Sequence, residues 1–353
     1  MNVKAQLDIH CLQRAASTAR TRREDQIRRA LFHGEGLVLE NPRYFRAVKA
    51  FLDELLDSDV GARDLTVQAL GIGTGKSSGK ILAKEPGIAA GIAECCWFLT
   101  RGGIAVRPRK SDGDPLSPDE IVLEIEGPRG ELLSLERVAL NVLQRMSGIA
   151  SMTHRLQERV QRRNPKAFAS GGLSAKTEGG PAPVVVATRK TPWGLLDKRA
   201  VHLGGGGTHR LGLSDAILIK NNHLALLARR EEEAVVVAIE KAWACRESAA
   251  FIEVEVRSLG AAAAAAKAFR QRREGDSSSC PCLLLLDNMS PAQARETVDV
   301  LRSEKLLEDV LVEVSGAITE SNLDEYAACG ADALSMGALT HSPRALDLSL
   351  RIS

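Results

Sequence analysis

Basic and acidic side chains recur at the ends of short apolar runs in the second half of this chain. Arg189 and Lys190 follow VVVAT, Lys220 ends AILIK, Asp287 ends LLLLD, Ser315 and Gly316 end VLVEVSG, and Gly337 ends ALSMG. In GGGGTHR, His209 and Arg210 come just after four glycines (204–207), whose backbone can approach a ligand closely. Arginine forks match carboxylates in two-pronged geometry, and lysine acts as a point charge. The five potentially cationic groups Arg189, Lys190, His209, Arg210 and Lys220 therefore suit a small polyanion. In FIEVEV, Glu253 and Glu255 alternate with valines and share one face of an extended segment. Two inward acids need cations or a metal as partners. Taken singly, each group has a plainer reading: a surface lysine, a glycine loop, or an Asp287 that caps a helix beginning near Ser290. Their convergence at successive run ends carries the information.

The elements that must hold these groups come next. Six apolar runs (184–188, 216–220, 251–256, 283–287, 310–316 and 333–337) alternate with helical segments or loops such as SLGAAAAAAKAFRQRR. Strand, helix, strand at this spacing predicts a parallel sheet. Without a dinucleotide-binding glycine fingerprint, a β/α barrel fits better than an open sheet, and its active groups collect at the C-terminal ends of the strands. The first half differs. NPRYFRAVKAFLDELLDSD has helical spacing, and KILAKEPGIAAG, GIAVRPRKSDGD and EIVLEIEGP predict a small sheet of hairpins. A long helix follows with Ser134 as its expected N-cap and Arg137 in its first turns. The polar stretches 170–183 and 273–280 read as solvated loops without function.

Composition narrows the class. The chain has 353 residues, 44% hydrophobic, 26% charged and 3% aromatic, with net charge +2. A nucleic-acid partner would call for a basic excess and stacking aromatics, and neither is present. No apolar run is long enough to span a membrane, and no signal peptide opens the chain. RAASTARTRRE has a faint transit-peptide character that Asp8, Glu24 and Asp25 interrupt. Seven cysteines without C-x-x-C spacing read as reduced thiols of a cytoplasmic protein.

ERVALNVLQRMSGIAS, TRKTPWGLLDKRAVHLGGGGTHRLGLSDAILIKNNH, IEVEV, LLDNM, EVSGAIT and MGALTHS occur in the order found in quinolinate phosphoribosyltransferases (carboxylating nicotinate-nucleotide pyrophosphorylases). The chain resembles that family from about residue 64 to 353, most strongly from 134 onward. The resemblance implies a type II phosphoribosyltransferase fold of the α/β class: an N-terminal α/β sandwich (1–138), then an incomplete β/α barrel of about seven strands (139–341), with the tail 342–353 packing on the sandwich. It implies a homodimer with shared active sites, with further assembly into a hexamer left open. Arg137 would reach quinolinate from the partner subunit, and Arg189, Lys190, His209, Arg210 and Lys220 would line the quinolinate pocket. Lys190, Glu253 and Asp287 would be catalytic, with Glu253 and Asp287 by the ribose and the Mg²⁺. Lys190, Glu253, Asp287, Ser315, Gly316, Gly337 and His341 would bind phosphoribosyl pyrophosphate. The implied activity is a decarboxylating glycosyl transfer that makes nicotinate mononucleotide in NAD biosynthesis.

The chemistry read from the residues agrees, since both substrates are polyanions and the reaction needs charge held in place more than it needs a general base. The chain departs from the family pattern at Ala317, where a second glycine is usual, and at Asn221, where Asp is usual. The loop TPWGLLDKRAV is about two residues short of the commonest form, and 170–183 is an unusual insertion. Four other readings differ in testable ways. A molybdenum-operon relative would lack the full carboxylate-binding set, and a nicotinate phosphoribosyltransferase would release no CO₂. An aldolase-type Schiff base at Lys220 would be trapped by borohydride. An inactive scaffold would bind phosphoribosyl pyrophosphate without turnover.

Overall fold

A computed structural model describes residues 22–162, 182–276 and 278–353. The RAASTARTRRE segment lies mostly outside this range, as does the insertion up to residue 181. The chain divides into two units, one of residues 34–158, 187–208 and 337–353, the other of residues 1–33, 159–186 and 209–336.

The first unit is built on an antiparallel sheet. Strands β1 (Lys76–Ala83), β3 (Ala105–Pro108) and β5 (Ile121–Pro128) join β12 (Leu348–Ile352) in the order β12-β1-β5-β3. Ile81 pairs with Leu350 on one side and Leu123 on the other, and the β1–β5 register shifts between Ile81 and Leu82. The hairpin β2 (Gly87–Ile88) and β4 (Pro115–Leu116) stands separately. The amphipathic helix Ile92–Arg101 buries Ile92, Cys95, Phe98 and Leu99 and packs beside β3. The helix Pro42–Val60 appears where its spacing predicts and buries Tyr44, Val48 and Leu52. Within this unit Arg199, on the helix Leu195–Leu203, ion-pairs with the buried Glu94 at 3.0 Å and with Asp112 at 2.8 Å. Tyr44 donates to Glu94 at 2.7 Å, so the helices that carry Tyr44, Glu94 and Arg199 are locked by one polar network.

The long helix runs from Arg129 to Arg162, so Ser134 lies inside it and is no cap. Strand β5 ends at Pro128 and the chain turns directly into the helix, which leaves Ser134 to donate its hydroxyl to Asp64 at 3.3 Å.

The second unit is a six-stranded parallel sheet of β6 (Val184–Val186), β7 (Ile217–Ile219), β8 (Ile252–Val256), β9 (Cys282–Asp287), β10 (Leu311–Ser315) and β11 (Ala333–Ser335). Their order is β6-β11-β10-β9-β8-β7, with β6 and β7 at the two ends, so the barrel is incomplete, with six strands among the described residues rather than about seven. Helices Glu231–Trp243, Leu259–Arg273 and Pro291–Ser303 connect successive strands. Leu283, Leu284, Leu285 and Leu286 are all buried, which accounts for an unbroken apolar run rather than an alternating one. Each such side chain contributes about 1.5–3 kcal/mol to folding. The run Ala261, Ala262, Ala265 and Ala266 is fully buried, and these small side chains let its helix lie close to β9. The interior core contains Val184, Val186, Phe251, Leu283, Leu311 and Ala333, joined by Ile27, Ala30 and Leu31. Residues 22–31 are helical, so part of the N-terminal region fills this core. Arg23 fastens that helix through a two-pronged bond to Asp332 at 2.6–2.7 Å.

Candidate active site

In parallel neighbours, paired residues point to the same side. One row of the parallel sheet pairs Asp287 with Ser315 and Ser315 with Ser335, and the row below pairs Glu255 with Leu285 and Leu285 with Glu313. The polar groups at the strand ends are thus set by register.

Deeper lies an imidazole between two acids. His209 turns Nε2 to Glu253 Oε2 at 2.9 Å and to Glu313 Oε2 at 3.5 Å. Its Nδ1 accepts the Arg210 amide at 2.8 Å. A nitrogen that accepts an N–H carries no proton, so Nε2 holds the proton and donates it to Glu253; this tautomer is assigned from the hydrogen-bond network. The ring is buried, edge-on to Phe251 at 5.0 Å, and His209 sits in the left-handed region at φ 52°. Burial pushes the Glu253 carboxyl up to about 8, against the pull of Arg210 and Lys220. Arg210 is itself buried and donates to the Ala216 carbonyl at 3.2 Å. His209 thus links to Glu253 and stands close to Glu313. Glu313 was not among the expected site residues, although its place two residues before Ser315 in VLVEVSG obeys the same period-two rule as Glu253 and Glu255.

A second acidic pair stands nearer the strand ends. Asn221 donates its side-chain amide to Glu255 and, at 3.4 Å, to Asp287. Burial and then the Asp287 charge raise the Glu255 carboxyl above its ordinary range, and Lys220 opposes them. Asn221 Oδ1 is buried without a hydrogen-bond partner among the described residues. An Asp at this position would set a third carboxylate against these two, so the departure to Asn has a local electrostatic reason. Lys220 is exposed at the end of β7.

After β10 the chain turns sharply. Asn288 N donates to the Ser315 carbonyl at 2.9 Å, and Gly316 has φ 94°. A Cβ at Gly316 would lie 2.3 Å from Asn288 Oδ1, so only glycine fits. Ala317 is also left-handed at φ 51°, which explains the glycine usual in the family at that position. Ser335 carries a buried hydroxyl without a hydrogen-bond partner among the described residues, in register with Ser315. The Asp287 loop does not cap the next helix. Ser290 does so, in a reciprocal capping box with Gln293.

The remaining expected residues belong to the first unit. Arg189 and Lys190 are exposed. A Cβ at Gly337 would lie 2.8 Å from His341 Cδ2 and 3.4 Å from Lys190 Cδ, so these three residues form one cluster. His341 Nδ1 is 2.6 Å from Ser342 Oγ. Arg137 stands exposed on the long helix, with no side-chain hydrogen bond or ion pair among the described residues.

Comparison with known proteins resolves the family. The description "Quinolinate phosphoribosyl transferase, N-terminal domain" matches residues 64–147, and "Quinolinate phosphoribosyl transferase, C-terminal domain" matches residues 149–351. The chain belongs to the quinolinate phosphoribosyl transferase family. Among relatives, the probable nicotinate-nucleotide pyrophosphorylase [carboxylating] of Archaeoglobus fulgidus is 37% identical over 77% of this chain and 93% of that protein. The nicotinate-nucleotide pyrophosphorylase [carboxylating] of Homo sapiens is 34% identical over 90% of this chain and 95% of that protein. The crystal structure of NadC from Streptococcus pyogenes superposes with a TM-score of 0.69 at 31% identity, over 87% of this chain and 96% of that one. Family membership sets aside the Schiff-base reading of Lys220.

Proposed function

We propose that this enzyme transfers the phosphoribosyl group of phosphoribosyl pyrophosphate to quinolinate, with release of pyrophosphate and CO₂, to give nicotinate mononucleotide for NAD biosynthesis. The pyridine nitrogen forms a bond to C1 of the ribose as the C1–pyrophosphate bond breaks. Loss of the 2-carboxylate as CO₂ leaves its bonding electron pair on C2, stabilised by the adjacent positively charged ring nitrogen, and a proton from solvent then adds to C2.

Each cluster has a task in this chemistry. Arg189, Arg210 and Lys220 supply positive charge for the quinolinate carboxylates, and Arg137 of the partner subunit adds a further fork. Lys190, Gly337 and His341 form a compact anion-binding group for phosphate, and Ser315 and Gly316 offer a hydroxyl and a sharply turned backbone. The carboxylates near the strand ends face the positive charge that develops on the ribose.

Oxygen donors that repel one another suit a hard divalent cation. Glu255 and Asp287, bridged by Asn221 with its unpartnered Oδ1, fit Mg²⁺, whereas the Glu253 carboxylate turns to His209. Mg²⁺ bound there supplies neutralising charge to the pyrophosphate. Glu253, expected beside the cation, lies with His209 and Glu313, whose ligand atoms all stand within 4.8 Å of one another and offer a second set of donors.

A homodimer is supported by the exposed Leu65, Leu70 and Ile72. They lie on and just after the short helix Leu65–Leu70, whose capping residue Asp64 accepts from Ser134, three residues before Arg137. An uncovered apolar patch beside an exposed arginine suits a second copy, and hexamers would add to such dimers. Among the described residues no helix is long and apolar enough to cross a membrane, and the cysteines are free thiols, which supports a cytoplasmic location.

The observation that carries this reading is the register row of Asp287, Ser315 and Ser335, with Glu255 one row below. Incubating the purified protein with quinolinate, phosphoribosyl pyrophosphate and Mg²⁺ should yield nicotinate mononucleotide and CO₂. Turnover of nicotinate in place of quinolinate, without CO₂, would overturn it.

A further inference from the structure

The chemistry above makes no use of a ring of hydrogen bonds in the first unit. Thr340 Oγ1 donates to the Lys190 carbonyl at 2.9 Å. The Thr340 carbonyl accepts from Arg145 Nη2 at 2.8 Å. Arg145 also grips both oxygens of Asp197, through Nε at 2.9 Å and Nη2 at 2.8 Å. Asp197 Oδ2 in turn accepts the Thr191 hydroxyl and the Trp193 amide, and Thr191 follows Lys190 in the chain, which closes the ring. Asp197 and Thr340 are fully buried, and the Arg145 guanidinium lies 5.0 Å from the Trp193 ring centre.

Lysine is a point charge on a long flexible stem, so a fixed main chain does much to place its ammonium. The ring fixes the Lys190 carbonyl to the turn Ala338–His341, and the Lys190 stem passes the edge of Gly337, against which the His341 ring also packs. A two-pronged arginine–carboxylate pair specifies geometry as well as energy. Thr191, Trp193 and Asp197 all lie in the segment TPWGLLDKRAV, which follows Lys190 directly.

We infer that Arg145, Asp197 and Thr340 are positioning residues, a closed ring that sets the Lys190 main chain against the Gly337–His341 turn so that both face one phosphate group of phosphoribosyl pyrophosphate. This rests on the reading of Lys190 and His341 as phosphate-binding residues. None of the three ring residues needs to touch substrate.

The test is steady-state kinetics with each substrate varied in turn, on Thr340→Val, Thr340→Ser, Arg145→Lys and Lys190→Ala, with thermal melting alongside. Thr340→Val removes one buried hydrogen bond at nearly constant volume, so KM for phosphoribosyl pyrophosphate should rise about 5- to 10-fold. KM for quinolinate should stay near that of the unaltered enzyme, and Thr340→Ser should restore the first value. Arg145→Lys, which loses the two-pronged grip, should move the same constant in the same direction. Should that variant fold poorly, the valine and serine pair decides. A Thr340→Val enzyme with unaltered kinetics beside a crippled Lys190→Ala overturns the ring and leaves the phosphate reading standing. Equal loss for both substrates, in step with a lower melting temperature and without rescue by serine, marks a merely structural role and also overturns it. An unaltered KM in Lys190→Ala overturns the phosphate reading, and the ring inference with it.

Discussion

His209 donates from Nε2 to Glu253 at 2.9 Å while the Arg210 amide occupies the other ring nitrogen, so the imidazole is committed to the protein's own acid. The Glu253 carboxyl is pushed up to about 8 by burial, from an ordinary value of 4.5. The folded protein therefore keeps a proton that the unfolded chain gives up. Stability without ligands should fall as pH rises from about 4.5 to about 8 and level off above, because the unfolded state binds fewer protons across that window. Urea midpoints measured from pH 5 to 9 check this. Glu253→Gln should flatten the slope, and an undiminished slope in that variant would assign it to other groups.

Asn221 separates Glu255 from Asp287 with a neutral amide. Asn221→Asp should lower the melting temperature in a chelating buffer at pH 8 and show a larger rise on adding Mg²⁺ than the unaltered protein does. Linkage ties that rise directly to cation affinity. Equal Mg²⁺ responses in the two proteins would remove the cation from this pair.

Arg137 is exposed and bears no structural load, so Arg137→Ala should leave the folding stability within about 0.5 kcal/mol of the original, as for other surface changes. Its kcat/KM for quinolinate should nevertheless fall about 100-fold, the scale of losing a charged fork on a carboxylate. Mixing it with an inactive Lys190→Ala protein should recover activity if sites are shared between subunits. Full activity of the alanine variant alone would refute that arrangement.

Ala317 holds a left-handed backbone at φ 51° that costs a non-glycine residue about 1 kcal/mol. Part of that is offset by the entropy glycine loses on folding, so Ala317→Gly should stabilise by about 0.5 kcal/mol. Ala317→Val should destabilise by more, since β-branched side chains fit this region worst. Chemical denaturation would read both.

The six parallel strands are legible because each is a short apolar run closed by a polar residue, and both faces of such strands are covered. The helix Pro42–Val60 is legible from its own apolar spacing. Other features depend on distant partners. Ser134 has the type and place of a cap, and only the direct turn from Pro128 into the helix denies it that role. Ile27, Ala30 and Leu31 join the interior of a sheet whose first strand begins at Val184, which no local pattern announces. Lys190, Gly337 and His341 come together from segments far apart in the chain. The division of acids into a His209–Glu253–Glu313 group and a Glu255–Asp287 group depends on register, which composition does not encode.

Strand β12 is the edge strand beside β1, and Ser353 returns to Ser78 across 275 positions of chain. During synthesis β1 must leave the ribosome with a bare edge and wait until every strand of the parallel sheet has been made. Its outer row of amides is then open to pairing with neighbouring nascent chains. A peptide with the sequence of β12, supplied in trans, offers the missing partner for that edge while it is bare.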